Sequence, residues 1–244
     1  MPTRAQYEGV AREVLSPHLT NPSSAWRGFY ELLLWYEHGV PHIIDGDKLV
    51  GGIWRARAQA VQKAVAAELG CTARDLRKRV DLLLSNTIFS KPPQRQNPLG
   101  IGFVAALRVT LEAFSSSDYI FLPEEAIGKS VFRGIREAPR SAPDIVVVKG
   151  EREIGVISAK WSIRHDRLKD LKDECNYFKT LMGSLKFYVA TNEFDPARLN
   201  KLLEDYRIDG VFHVNRRLVV DVAKVDGRLE RLRDLSELLS LFAA

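Results

Sequence analysis

The chain has 244 residues, 45% hydrophobic and 27% charged, a composition that fits a globular protein with enough length to bury a sizeable core. Thirty-six basic residues stand against 31 acidic ones, a net charge of +5, which suits a nucleic-acid partner without requiring one. Cys71 and Cys175 form no CxxC pair, the charged N-terminal stretch does not read as a signal peptide, and no run of about 18 apolar residues occurs; the expectation is a cytoplasmic protein with two reduced thiols, no zinc framework and no membrane span.

The first third reads as helical. Residues 3–17, 23–39 and 47–70 carry apolar side chains at three-to-four spacing and stop at Pro or Gly, and residues 72–86 begin with the capping residue Thr72. Residues 89–102, FSKPPQRQNPLGIG, read as a loop or boundary. Beyond it the pattern predicts a helix over 103–114, a strand over 118–123, and two strands, 143–149 and 152–160, joined as a hairpin. A helix over 166–183, a strand over 184–192, a helix over 195–206, a strand over 208–215 and a closing helix over 229–244 complete the chain. The fold expectation is a helical N-terminal part, residues 1–90, followed by an α/β core with a mixed sheet, residues 91–244.

The hairpin carries Asp144 at its start and Lys160 at its end. Side chains alternate along a strand, so Ser158 and Lys160 share a face. If Gly150, Glu151 and Arg152 form a three-residue loop, Lys149 pairs with Glu153, Val148 with Ile154, Val146 with Val156 and Asp144 with Ser158. A four-residue loop would put Asp144 opposite Ile157 and break the group. The three-residue register pairs apolar with apolar throughout.

On the following helix, stepping about 100° per residue places Leu168, Leu171, Cys175, Phe178, Leu181 and Met182 in one arc. Glu174 falls inside that arc, while Lys169, Asp173, Asn176 and Thr180 fall outside. A buried acid needs a partner or a metal. Asp144 and Glu174 could together hold a hard divalent cation such as Mg²⁺, with Lys160 orienting a water and stabilising charge on a phosphate. Taken singly, an Asp after Pro is usually a turn residue and a Lys at a strand end a solvated terminus. The joint placement favours phosphodiester hydrolysis.

Pro143-Asp144, Ser158-Ala159-Lys160, Arg164-His165-Asp166-Arg167 and Glu174 follow one another in order within 32 residues. This order resembles the CCGG-recognising type II restriction endonucleases of the PD-(D/E)XK nuclease superfamily. In that family Ser or Thr replaces the usual acid before the lysine, and a Glu about one helix further on supplies the missing metal ligand. The resemblance is specific over residues 143–174 and says little about residues 1–90. It implies a restriction-endonuclease-like core, with a mixed five-stranded sheet flanked by helices. It also implies Mg²⁺-dependent cleavage of double-stranded DNA by a homodimer or tetramer, giving 5′-phosphates and staggered ends, and a companion methyltransferase that is not a binding partner. Asp144 and Glu174 become the metal ligands, Lys160 the group that positions water, and Ser158 a weak or indirect ligand. The interval from Asp144 to Ser158 is short for the family, several of whose members carry long insertions there.

The RHDR element has its own chemistry. Arg can donate two hydrogen bonds to O6 and N7 of guanine, and Asp can accept from N4 of cytosine, so Arg164, Asp166 and Arg167 suit a C·G half-site in the major groove. The plainer alternative is a charged helix start with Asp166 near its cap, although arginines are disfavoured there by the helix dipole. Glu112, on the helix before the hairpin, is a candidate second acid, against the plainer alternative of a solvated or salt-bridged helix acid. Gln94, Arg95 and Gln96 are candidate minor-groove contacts, or simply polar loop residues. His165 reads as a spacer or phosphate contact. Other functional readings are a repair or structure-specific nuclease of the same superfamily, or a DNA-binding module with a degenerate nuclease core. Bases outside CCGG, or between CC and GG, have no sequence anchor.

Overall fold

The computed structural model describes residues 4–36, 60, 63–72, 74–75, 98–123, 143–163, 167–222, 225 and 227–243. Helices α1 (Arg4–Leu15) and α2 (Ala25–Tyr36) are separated by two 3-10 turns, Ser16–His18 and Pro22–Ser24. Tyr7, Ala11 and Leu15, four residues apart, form the buried stripe of α1. Both helices pack against α3 (Pro98–Phe114), whose Phe103, Ala106, Leu107 and Thr110 are buried. Helix α3 starts five residues earlier than its apolar pattern predicts. Proline at a helix start forfeits only an N–H that has no helical partner, so the stretch 98–102 opens a helix and is not loop. The expected boundary at residue 90 lies outside the described residues; α1 and α2 share one hydrophobic cluster with the sheet.

Among the described residues the sheet has six strands, in the order β1 (Tyr119–Pro123), β2 (Ile145–Lys149), β3 (Arg152–Lys160), β4 (Lys186–Thr191), β5 (Gly210–His213) and β6 (Leu232–Asp234). The first three are antiparallel neighbours; β3, β4, β5 and β6 run parallel. Helix α4 (Arg167–Leu181) connects β3 to β4, α5 (Pro196–Leu203) connects β4 to β5, and α6 (Arg216–Asp221) follows β5. Near-continuous apolar runs such as Ile145–Val148 are what a sheet covered on both faces requires.

The sixth strand corrects the expected count of five, and the segment predicted as one closing helix is divided. Leu229–Arg231 is a 3-10 turn, Leu232–Asp234 pairs with β5, and α7 (Leu235–Ser240) begins only there. The division is made at Asp234. Its side chain accepts from Ser236 N while Glu237 reaches back to the Asp234 backbone, a capping box that starts a helix and so ends what precedes it.

The hairpin turn also differs from expectation. Lys149 pairs with Arg152, leaving a two-residue loop, Gly150-Glu151, in which Gly150 has φ +60. Such tight loops need a positive φ that glycine supplies without steric cost. Val148 accordingly pairs with Glu153, not Ile154. A bulge then absorbs Ile154, and from Val147–Gly155 onward the pairing is the one expected, with Val146 opposite Val156 and Ile145 opposite Ile157. The shorter turn and the bulge cancel, and Asp144 reaches the level of Ser158.

Candidate active site

Strand β2 runs against β3, so its start meets the end of β3 on the edge where the parallel strands terminate. Open α/β sheets place their sites along that edge. Buried polar side chains gather there: Ser158 on β3, Thr191, Asn192 and Glu193 at the end of β4, and His213 and Asn215 at the end of β5.

Asp144 and Lys160 are in direct contact. Lys160 Nζ donates to Asp144 Oδ2 at 2.6 Å, and the Ala159 backbone N–H donates to the same oxygen at 2.8 Å. Both donors sit on Oδ2, which fixes the carboxylate and leaves Oδ1 with no donor among the described residues. The lysine side chain is 33% exposed and the aspartate 16%, so the pair lies at the rim of the sheet and not in its core. Ser158, on the Lys160 face, is buried, and its hydroxyl makes no hydrogen bond among the described residues.

The end of β3 is held from behind by an aromatic wall. The Trp161 ring meets Phe103 of α3 edge-on at 5.4 Å and Tyr30 of α2 at 6.3 Å, and Phe29 packs on Phe103 at 5.7 Å. Tyr30 also donates to Asn192 Oδ1 at 2.9 Å, and Asn192 N donates to Trp161 O at 3.0 Å. Burial pushes the Tyr30 phenol far up, so it remains a donor. The N-terminal helices thus brace the strand that carries Lys160.

Glu174 lies on the buried face of α4 with Leu168, Leu171, Cys175 and Phe178, as the helical phase predicts, and is 2% exposed. Asp173 is exposed. The end of the expected arc departs at one residue: Leu181 is 40% exposed where α4 stops, while Met182 is partly buried against the core. Cys175 is a free thiol pushed up to about 12, chiefly by burial, which disfavours the reactive thiolate.

The remaining sequence candidates are distributed differently. Glu112 accepts from Arg12 Nη2 at 2.7 Å and lies 3.5 Å from Arg108 Nε, and Arg108 also pairs with Glu8. This is an ion-pair group that joins α1 to α3, the salt-bridged reading of that residue. Arg167 opens α4 with its side chain 63% exposed and, among the described residues, a 3.4 Å contact to Asp170. Gln94, Arg95, Gln96, Arg164, His165 and Asp166 lie outside the described residues.

No family model, curated protein or solved structure matches this chain.

Sequence reasoning missed Glu193 and His213. Glu193 is 5% exposed, and its carboxylate accepts from Ile163 N at 2.6 Å and Asp195 N at 2.8 Å. Burial raises its pKa, opposed by those two N–H groups and by Arg198. Glu193 and Phe194 fall between the predicted strand 184–192 and the predicted helix 195–206, and only the Asp-Pro cap of α5, where Asp195 accepts from Ala197 N and Arg198 N, hints at order there. His213 is fully buried; Nε2 lies 3.0 Å from the Glu193 carbonyl and Nδ1 accepts from Asn215 N at 3.0 Å. Those partners define one neutral tautomer, with the proton on Nε2.

Burial lowers the His213 pKa from 6.5 to about 4. The unfolded chain takes up a proton near pH 6.5 while the folded one does not, so this contribution to stability is complete above pH 6.5 and is lost as pH falls toward 4. The expected loss is on the order of 3 kcal/mol. Urea titrations of wild type and His213→Gln at pH 7.5 and pH 4.5 check it. The variant should lose less stability on acidification than wild type. Equal losses would show that His213 titrates normally in the folded state. Glu193, whose raised pKa acts in the opposite sense, is common to both proteins and cancels in the comparison.

Proposed function

We propose that this protein is a type II restriction endonuclease, hydrolysing phosphodiester bonds of double-stranded DNA at a palindrome containing CCGG, with Mg²⁺ as cofactor and a restriction-endonuclease-like core as scaffold. The observation that carries the reading is the grip of Lys160 Nζ and Ala159 N–H on one oxygen of Asp144, the other oxygen having no donor among the described residues, at the end of a β2–β3 hairpin.

The donor set fits a hard cation. Asp144 and Glu174 offer carboxylate oxygens, and the buried Ser158 hydroxyl on the same face as Lys160 is a polar atom for which the described protein provides no partner. Among the described residues no group of three or more His, Cys, Asp or Glu is placed to hold a metal, so a cation bound here would rely on water and phosphate oxygens for the rest of its shell. Held by Asp144 and Glu174, Mg²⁺ would supply an activated water and neutralise charge on the leaving oxygen. Lys160 orients that water and stabilises the scissile phosphate, and Asp144 holds Lys160 in place. Arg164, Asp166 and Arg167 read the C·G pairs, the exposed Arg167 reaching outward from the start of α4. A homodimer, or a tetramer made of two such dimers, reads both half-sites.

Among the described residues no helix is long and apolar enough to cross a membrane. A digest of a fully sequenced genome in Mg²⁺, with the fragment ends sequenced, tests the proposal. Discrete fragments ending within a palindrome that contains CCGG are expected. A smear without sequence preference would instead indicate a structure-specific or repair nuclease, and DNA binding without any turnover a degenerate core.

A further inference from the structure

Glu193 is a charged side chain enclosed in the protein, and the candidate chemistry makes no use of it. Burying a carboxylate is costly unless hydrogen bonds compensate. Here each oxygen has its own donor. Oε2 accepts from Ile163 N at 2.6 Å, with Arg198 Nη1 3.5 Å away, and Oε1 accepts from Asp195 N at 2.8 Å. The Glu193 backbone is fixed as well. Its N–H donates to Thr191 Oγ1 at 3.1 Å and its carbonyl faces His213 Nε2 at 3.0 Å. The residue is therefore tied to the ends of both β4 and β5.

What this rigid carboxylate holds is the chain just beyond β3. Ile163 is the third residue after Lys160 and the last before Arg164. Its side chain is buried and its N–H is committed to Glu193. Trp161, two residues earlier, is bonded through its carbonyl to Asn192, the neighbour of Glu193. The end of β4 thus grips the β3–α4 connection at two successive points. Hydrogen bonds to a charged acceptor are about twice as strong as neutral ones, more than a connection needs for solvation alone.

We propose that Glu193 is a positioning residue for sequence discrimination. It fixes the backbone at Ile163, the point from which the proposed base-reading residues follow in sequence, relative to Lys160. The inference rests on the endonuclease reading above. It adds a residue that touches neither metal nor DNA and yet governs how well one base pair is told from another.

The test uses the whole 244-residue chain, its Glu193→Gln and Glu193→Ala variants, and Glu204→Gln as an exposed control on the β4–β5 connection that also carries Glu193. Glutamine keeps the shape of the side chain but has one acceptor for two N–H donors. Gel-shift titrations in Ca²⁺ compare a CCGG duplex with one whose core is scrambled, and cleavage in Mg²⁺ gives KM and kcat separately. For Glu193→Gln the preference for CCGG should fall roughly tenfold or more, the loss of a hydrogen bond to a charged group. KM for the CCGG duplex should rise with it, while kcat at saturating DNA stays within about threefold. Glu204→Gln should match wild type. A Glu193→Gln protein with unchanged preference and KM overturns the inference, as does one whose specific binding, scrambled binding and kcat all fall together. Amide hydrogen exchange on wild type keeps the inference falsifiable if the variants do not fold: Ile163 N–H must be protected, and rapid exchange there would sink it. If wild type itself shows no preference for CCGG, the endonuclease reading fails first and this inference fails with it.

Discussion

Lys160→Ala is expected to reduce cleavage of a CCGG duplex by roughly two to three orders of magnitude, or more, while specific binding in Ca²⁺ persists. An electrostatic group aimed at developing charge contributes on the order of 3–4 kcal/mol to the transition state. Lys160 has a second task, because its Nζ supplies one of the two hydrogen bonds on Asp144 Oδ2. Without it the carboxylate keeps, among the described residues, the Ala159 N–H alone, and its other oxygen loses a fixed direction. The fold should tolerate the change, since a pair at the solvent rim contributes little to stability. Single-turnover cleavage with saturating enzyme isolates the chemical step from binding. Lys149→Ala is the control. Lys149 lies at the far end of the same hairpin, over the Tyr119 ring at 5.0 Å, and should cut as wild type does. A Lys160→Ala enzyme within a few-fold of wild type would mean that Asp144 and Lys160 form a surface ion pair and nothing more.

The parts of this site that were legible in the sequence are those set by local periodicity. Strand alternation put Ser158 and Lys160 on one face, and helical phase put Glu174, not Asp173, inside. The level of Asp144 against Ser158 came out as expected although the turn did not. The tight Gly150-Glu151 loop removes one residue from the expected turn, and the bulge at Ile154 restores it. Apolar matching at Val146–Val156 is insensitive to how the far end is closed.

What stayed hidden depends on residues distant in sequence. Nothing near Glu112 announces Arg12, one hundred positions earlier, as its partner. Glu193 reads as a loop acid because its donors, Ile163 and Asp195, are backbone groups that any sequence would possess. Strand β6 is three residues long, and Leu229, Leu232, Leu235 and Leu239 have helical spacing on either side of it. The Asp234-x-x-Glu237 capping box was the local sign that a helix begins there and not earlier.

Glu174→Ala and Asp144→Ala should fail alike, each losing cleavage to near background, while Asp173→Ala cuts normally. The contrast between neighbours is the substance of the prediction. Asp173 is exposed on α4, one residue away in sequence and about 100° around the helix from Glu174. A general effect of negative charge on DNA binding would act on both acids, whereas metal ligation acts on one. Removing a carboxylate from a metal site lowers affinity for the cation more than it lowers affinity for DNA, so specific binding without divalent metal should be retained. The dependence of cleavage on Mg²⁺ should shift to much higher concentration in both variants, and Mn²⁺, which binds carboxylate sites more tightly, should restore part of the activity. Titrating Mg²⁺ and Mn²⁺ against cleavage rate for wild type and the three variants reads this directly. Glu174→Ala also removes a buried charge and leaves a small cavity, so Glu174→Gln should be assayed beside it. Gln fills the same space but carries no charge to hold the cation, and should be as defective as Ala. If Glu174→Gln retains wild-type cleavage and metal dependence, Glu174 is a satisfied core acid, and the second metal ligand must be sought elsewhere on the edge where β3, β4 and β5 end.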